Sequence, residues 1–165
     1  MAMLHMTPPR IITINNGLIS DVSDVCNSDH GIVQVDVLID STDKFLIPGL
    51  IDSHIHIDSV SLLETVTSFG VATAVNMACF DDALCAALAN ITGLASFLTA
   101  TRIVTVPGSP YSMATSPDQI LQPGEGSAQF VAKSFQNSTA AYLKIIAEAD
   151  VPTQEQQNIS VATAH

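Results

Sequence analysis

The sequence predicts an α/β fold, in which about four βα units form a partial (β/α)8 TIM-type barrel after a small β element. From residue 45 onward, apolar runs typical of buried parallel strands alternate with segments of helical spacing. The chain has 165 residues, whereas a complete barrel of this kind takes about 250. We therefore expect a small β element over 1–45 and the N-terminal half of a barrel over 46–165.

The N-terminal element is predicted from two short apolar runs. Residues 11–14 and 32–39 are rich in β-branched side chains, and the second run alternates in part with a period of two. Asn15, Asn16 and Gly17 supply turn-forming residues between them. Both runs are therefore predicted to be strands.

The barrel segment begins with the apolar run 45–52, which is typical of a strand buried on both faces. Helical spacing follows over 59–68, and a second apolar strand is predicted over 71–77. The remaining predicted elements are a helix from Asp81-Asp82, a strand over 94–106, a loop over 107–124, a helix over 125–138, a strand over 141–147 and a helix after a capping box at Thr153–Gln156. This alternation favours parallel βαβ units.

Composition excludes two classes of partner. The chain is 47% hydrophobic and 13% charged, with a formal net charge of -11. Phosphate backbones and anionic membrane surfaces repel such a chain, so we predict no nucleic-acid partner. The uncharged stretch 83–101 is as long as a membrane span, but Asn90, Thr92 and Gly93 interrupt it. We interpret it as a buried helix followed by a buried strand, and expect no membrane partner.

Location is predicted from the N-terminus and the cysteines. Residues 1–14 lack the basic and apolar regions of a signal peptide. Cys26, Cys79 and Cys85 are odd in number and form no CxxC pair, so a disulfide framework is not expected. We therefore predict a reduced, cytoplasmic protein.

The sharpest candidate site is the pair His54 and His56, at the end of the first barrel strand. Alternate side chains of a strand share one face, which places the two imidazoles about 6.6 Å apart along the strand. At the mouth of a barrel, two neutral imidazoles could hold one divalent metal ion. The alternative is a pair of half-buried histidines that make local hydrogen bonds.

The segment around this pair, Leu46-Ile47-Pro48-Gly49-Leu50-Ile51-Asp52-Ser53-His54-Ile55-His56, resembles the first-strand motif of the amidohydrolase superfamily of metal-dependent hydrolases. Residues 70–75 are similar to that family's second-strand motif, and residues 140–146 resemble the fourth-strand segment that carries a metal-bridging lysine. The resemblance extends from about residue 10 to the end and is nearest to the imidazolonepropionase-like and prolidase-like branch.

This resemblance implies a hydrolase that acts on an amide, lactam or similar C–N bond of a small molecule through a metal-activated water. It implies one or two divalent metal ions, zinc by preference, with His54 and His56 as ligands. It also implies that Lys144, in carboxylated form, bridges the metals. Otherwise Lys144 would be a surface lysine at the end of a strand.

Other parts of the family's site are not matched. The family adds two histidines from later strands and an eighth-strand aspartate that serves as the general base. We interpret His165 as a helix-end residue rather than a ligand. Asp52 and Asp58 are an even number of residues away from the two histidines, so along a strand they would share the same face. They are therefore candidates to replace the missing metal ligand or the missing base. The alternative function is therefore a truncated or non-catalytic relative. The open edges of such a sheet favour a homo-oligomer or a complementing C-terminal half as partner.

The loop over 107–124 provides the candidate substrate contacts. It reads Pro107-Gly108-Ser109-Pro110 where related chains often carry Gly-Gly-His. Loops that follow barrel strands line the active site, so Ser109, Tyr111 and Ser112 are candidates for substrate binding. The alternative is a long loop without a binding role.

Overall fold

The computed structural model describes residues 8–25, 34–122, 124–136, 138–148 and 151–164. The chain divides into two compact units, Met1–Leu46 and Ile47–His165. The described residues form a two-stranded sheet in the first unit and a four-stranded sheet in the second.

The first unit contains an antiparallel hairpin of β1 (Arg10–Asn15) and β2 (Leu18–Asp24). Asn16 and Gly17 connect the strands with positive φ angles of 50° and 77°, which two-residue hairpin turns require. The predicted strand over 32–39 is wrong for residues 34–39, which form no strand. The segment directly after the tight turn pairs with β1 instead, because a two-residue turn brings it alongside.

The second unit alternates strands and helices. Its elements are β3 (Leu50–Ile55), α1 (Val60–Ser68), β4 (Val71–Asn76), α2 (Asp82–Ala89), β5 (Ser96–Val104), α3 (Ser127–Phe135), β6 (Tyr142–Ile145) and α4 (Gln154–Ala164), with 3-10 helices at Pro110–Ala114 and Pro117–Gln119. The strands form a curled parallel sheet in the order β3-β4-β5-β6. The predicted α/β class and parallel arrangement are confirmed.

Two helices begin where the sequence patterns predicted, and with capping hydrogen bonds at the predicted residues. The Asp81 carboxylate accepts hydrogen bonds from the backbone N–H groups of Ala83 and Leu84, at 2.9 and 3.1 Å, at the start of α2. At the start of α4, the Gln156 N–H donates to the Thr153 hydroxyl and the Thr153 N–H donates to the Gln156 side chain. These reciprocal bonds form the predicted capping box.

The helices pack against one face of the sheet in two buried clusters. The first cluster contains Leu63 of α1, Leu88 of α2 and Phe97 of β5. The second contains Val104 of β5 and Phe130 of α3. Because strand side chains alternate between faces, these contacts leave every second residue of the strands on the opposite face.

The β3 edge and part of that opposite face are exposed to solvent. Leu98, next to buried Phe97, is 44% exposed, and Leu50 and Ile51 of β3 are 51% and 68% exposed. The prediction that the run 45–52 is buried on both faces is therefore wrong. The reason is that β3 is an edge strand. Among the described strands it pairs only with β4, so only one neighbouring strand covers its apolar residues instead of two.

A disulfide joins Cys79, which follows β4, to Cys85 in α2. Both residues are buried in the first core cluster. The expectation of reduced cysteines is wrong for this pair, because the fold brings together two residues whose spacing matches no familiar disulfide motif. Cys26 lies outside the described residues.

The uncharged stretch 83–101 forms most of α2, a turn and the first part of β5. This confirms the interpretation of a helix followed by a strand. None of the helices in the described ranges has the length and apolar character that a membrane crossing requires.

Candidate functional site

The histidine pair lies at the carboxyl end of β3. Ile55 packs at the border of the first core cluster and Ile57 is buried within it, whereas His54 and His56 are exposed. Alternation therefore places both imidazoles on the face opposite the helices. Their ring centres are 5.6 Å apart with an interplanar angle of 67°.

This spacing is suited to a shared metal ion. Two imidazoles that bind one tetrahedral zinc through bonds of about 2.1 Å have ring centres on the order of 5 Å apart. Within the described residues no group of three His, Cys, Asp or Glu side chains is placed to hold a metal. His165, which we interpreted as a helix-end residue, lies outside those residues.

Asn76, at the end of β4, holds the backbone beside the histidines. Its side-chain oxygen accepts a hydrogen bond of 2.8 Å from the Ile57 N–H, directly after His56. Its amide nitrogen donates to the Thr99 hydroxyl of β5 at 3.1 Å. Sequence reasoning missed this residue, although a carboxamide within the apolar run 71–77 was an available signal, since buried amides need partners.

Asp52 lies on β3, two residues before His54. Asp52 is in register with Ala74 and Ile55 with Asn76, so β3 carries one extra residue between these pairs. The Asp52 carboxylate accepts a hydrogen bond of 3.1 Å from the His54 N–H. One of its oxygens is therefore engaged by the backbone beside the histidines.

Asp58 lies in the loop between β3 and α1 and is exposed. No hydrogen bond or ion pair joins its carboxylate to another residue of the described ranges. Asp58 is thus exposed two residues after His56 along the chain, whereas one oxygen of Asp52 is engaged by the backbone.

Lys144 lies on β6 between Leu143 and Ile145, which pack against the cluster around Phe130. Alternation places the half-buried Lys144 side chain on the opposite face, the face that also carries the histidines. However, β3 and β6 are the two edges of the four-stranded sheet. The histidines and Lys144 are therefore on strands separated by two others, β4 and β5.

Tyr142 connects β6 to β4 across this open face. Its hydroxyl donates a hydrogen bond of 2.7 Å to the Asn76 backbone carbonyl. Burial raises the pKa of Tyr142 to about 12, so the neutral donor is kept over the ordinary pH range. Sequence reasoning did not identify this residue, because the bond joins positions 66 residues apart.

Two further polar groups lie at the carboxyl ends of the strands. The Thr105 hydroxyl and the Glu148 Oε2 atom are buried and have no hydrogen-bond partner in the described part of the chain. Thr105 follows β5, and Glu148 follows β6. Buried polar atoms are ordinarily paired, and sequence reasoning did not identify either group.

The three loop residues proposed for substrate contact differ in exposure. Ser109 is buried, and its hydroxyl accepts from the Tyr111 N–H at 3.2 Å to begin a 3-10 helix. The Ser112 hydroxyl donates to the Ser109 carbonyl at 2.6 Å. Tyr111 alone among the three has a largely exposed side chain.

A polar cavity of about 220 Å³ lies elsewhere in the second unit. Its lining includes Arg102 of β5, which forms ion pairs with Asp82 at 3.3 Å and Asp118 at 3.9 Å, and residues of α3. Since these two carboxylates compensate the positive charge of Arg102, that guanidinium does not make the cavity a site for an anion. None of the candidate site residues lines this cavity.

Comparison of the chain with protein-family models, curated proteins and solved structures finds no match.

Proposed function

We propose that this chain binds a divalent metal ion, zinc by preference, through His54 and His56 as part of an amidohydrolase-type hydrolase. The observation that carries the proposal is the 5.6 Å separation of the two rings on one face. The resemblance of residues 46–56 to the first-strand motif of that superfamily supports the same chemistry. The four parallel strands are in keeping with half of a (β/α)8 barrel.

The reaction proposed is hydrolysis of an amide, lactam or similar C–N bond in a small molecule. A divalent metal, when bound, polarises a carbonyl group and makes water more acidic. Asp58 is the carboxylate best placed to accept the proton, because it is exposed and unengaged within the described ranges. Tyr111 is the loop residue best placed to contact a substrate, and Lys144 is the proposed bridging residue if two metals bind.

A second candidate is a metal-binding relative without catalytic activity. It is favoured by the ligand count in the described residues, where no three metal-binding side chains come together. A hydrolytic metal needs about three protein ligands as well as an open position. In this candidate the protein binds metal weakly through the imidazole pair and does not turn over substrate.

Metal binding is tested by zinc titration of the full chain and of a His54→Ala/His56→Ala variant. We expect the variant to bind less zinc than the full chain, because it lacks both proposed imidazole ligands. A His30→Ala/His165→Ala variant is the matched control, since it removes the same number of imidazoles and keeps the pair. Equal zinc binding by the full chain and the His54→Ala/His56→Ala variant would reject the ligand assignment.

The two candidates are separated by assays on N-acyl amino acids, dipeptides and lactams with added zinc, cobalt or manganese. Turnover of about 1 per second or more, typical of ordinary enzymes, and its loss in His54→Ala would establish the hydrolase. Zinc binding without turnover on any of these substrates would favour the non-catalytic relative.

A further inference from the structure

We propose that two copies of this chain assemble into one closed barrel, in which β3 of each copy pairs with β6 of the other. This inference rests in part on the proposed half barrel. It adds a partner, a second copy of this chain, and a specific pair of interacting edges.

Both edges of the sheet are available for such pairing. Among the described strands, β3 pairs with β4 alone and β6 pairs with β5 alone. The β3 edge also exposes Leu50 and Ile51, and the open face exposes Leu98. Unpaired strand edges with apolar side chains favour association with another strand.

Parallel strand order makes a second copy a suitable occupant. A twofold axis along the barrel would place β6 of one copy beside β3 of the other at two equivalent junctions, with all strands parallel. Four strands from each copy give the eight of a closed (β/α)8 barrel. Each interior layer of such a barrel takes four side chains from alternate strands, so each copy would supply half of every layer.

Charge does not favour this pairing. Lys144 lies on β6, but Glu148 follows the same strand, and Asp52 and Asp58 lie on β3 and in the loop after it. We therefore expect the association to depend on the unpaired strand edges and on the exposed apolar side chains. The whole chain carries a net charge of -11, which opposes assembly at long range. Added salt screens that repulsion, so we expect the dimer to strengthen as ionic strength rises.

The assembly has a consequence for the candidate site. Within one copy, His54 and Lys144 lie on opposite edge strands of the sheet. In the closed dimer, the strand next to β3 is β6 of the other copy, at about 4.8 Å. Each site would then combine His54 and His56 of one copy with Lys144 of the partner subunit.

The assembly is tested by sedimentation equilibrium of metal-free chain over a range of concentrations and salt. We expect a species of twice the 17.4 kDa chain mass, favoured by salt. A monomer at all concentrations, or an open-ended series of larger oligomers, would overturn the proposal. Since no metal is present, this result is independent of the proposed function.

The role of the β3 edge in dimerisation is tested by the variant Ile51→Asp, which places a charge on this exposed strand. We expect its dimer dissociation constant to rise by about tenfold or more. Ile14→Asp is the matched control, because Ile14 is 66% exposed and Ile51 is 68% exposed, but Ile14 lies on β1. Lys144→Glu tests the other edge if Ile51→Asp fails to fold. Unchanged dimerisation in a folded edge variant, or an equal loss in Ile14→Asp, would overturn the assignment.

The shared site is tested by mixing His54→Ala/His56→Ala chains with Lys144→Ala chains and titrating zinc. Random exchange gives mixed dimers with one complete site each, or about one tight site for every four chains. We expect this tight class in the mixture and in neither variant alone. If the mixture binds zinc as the average of its components while the unmodified chain binds tightly, the residues do not combine across copies.

Discussion

The side-chain oxygen of Asn76 accepts a hydrogen bond of 2.8 Å from the backbone N–H of Ile57. This bond fixes the chain directly after His56, at the point where β3 leaves the sheet. Asn76 is completely buried, and its amide nitrogen is also engaged, with the Thr99 hydroxyl. The position of the exposed histidine pair is therefore determined by a buried residue on the neighbouring strand.

Replacement of Asn76 by alanine should destabilise the protein by about 1–3 kcal/mol, because the Ile57 N–H loses its partner in a buried setting. We also expect zinc affinity to fall, since the segment after His56 is no longer held. Urea unfolding and zinc titration measure the two effects. Asn90→Ala is the control, because the Asn90 amide bonds the Ala86 carbonyl at an exposed site. Equal unfolding midpoints for the two variants would contradict the role of Asn76.

The Tyr142 hydroxyl is expected to lower the free energy of unfolding as the pH becomes alkaline. Its pKa in the folded chain is raised from 10.0 to about 12 by burial, so the folded state holds this proton more tightly than the unfolded state. The associated stability is present below about pH 10 and is lost as pH rises towards 12. Tyr142→Phe should remove this dependence and, through the lost bond to Asn76, cost about 1 kcal/mol at neutral pH.

The second tyrosine provides the control for that measurement. The chain has two tyrosines, so a Tyr111→Phe variant leaves the Tyr142 phenol as the only one. Absorbance titration of that variant should give a single transition near pH 12. A transition at the ordinary tyrosine value in folded protein would disprove the effect of burial.

The cap of α2 should contribute measurably to stability. Asp81→Ala removes the acceptor of two backbone N–H groups at the helix start, and such a loss costs about 1 kcal/mol. Asp81→Asn retains an oxygen that can accept these bonds and should preserve most of the stability. Thermal unfolding of the two variants checks the prediction, and it fails if alanine and asparagine are equivalent.

The disulfide is expected to be detectable in the isolated chain. Before reduction, the intact mass should be lower by two hydrogen atoms than after reduction, because Cys79 and Cys85 are joined. Alkylation of unfolded, unreduced protein should label one of the three cysteines. Reduction should lower stability by about 2 kcal/mol, since the bond closes a short loop. Labelling of all three cysteines without reductant would exclude the disulfide.

Local sequence patterns determined the elements of the second unit. The apolar run 71–77 predicted β4, and the acidic pair Asp81-Asp82 predicted the start of α2. The Thr153–Gln156 pattern likewise predicted the cap of α4. These features depend on side-chain periodicity and on hydrogen bonds between residues a few positions apart, so the sequence alone contains them. His54 and His56 are likewise close to each other because they are only two residues apart in the sequence.

Only the tertiary structure decided what lies around these elements. Apolar composition predicted that residues 45–52 are buried, yet β3 is an exposed edge, because burial depends on which strands arrive alongside. The bond from Tyr142 to Asn76 joins residues 66 positions apart, and no local pattern encodes such a contact. Lys144 lies on the face predicted for a metal-bridging residue but on the far edge from the histidines. Its distance from them depends on closure of the sheet, a property of how strands assemble.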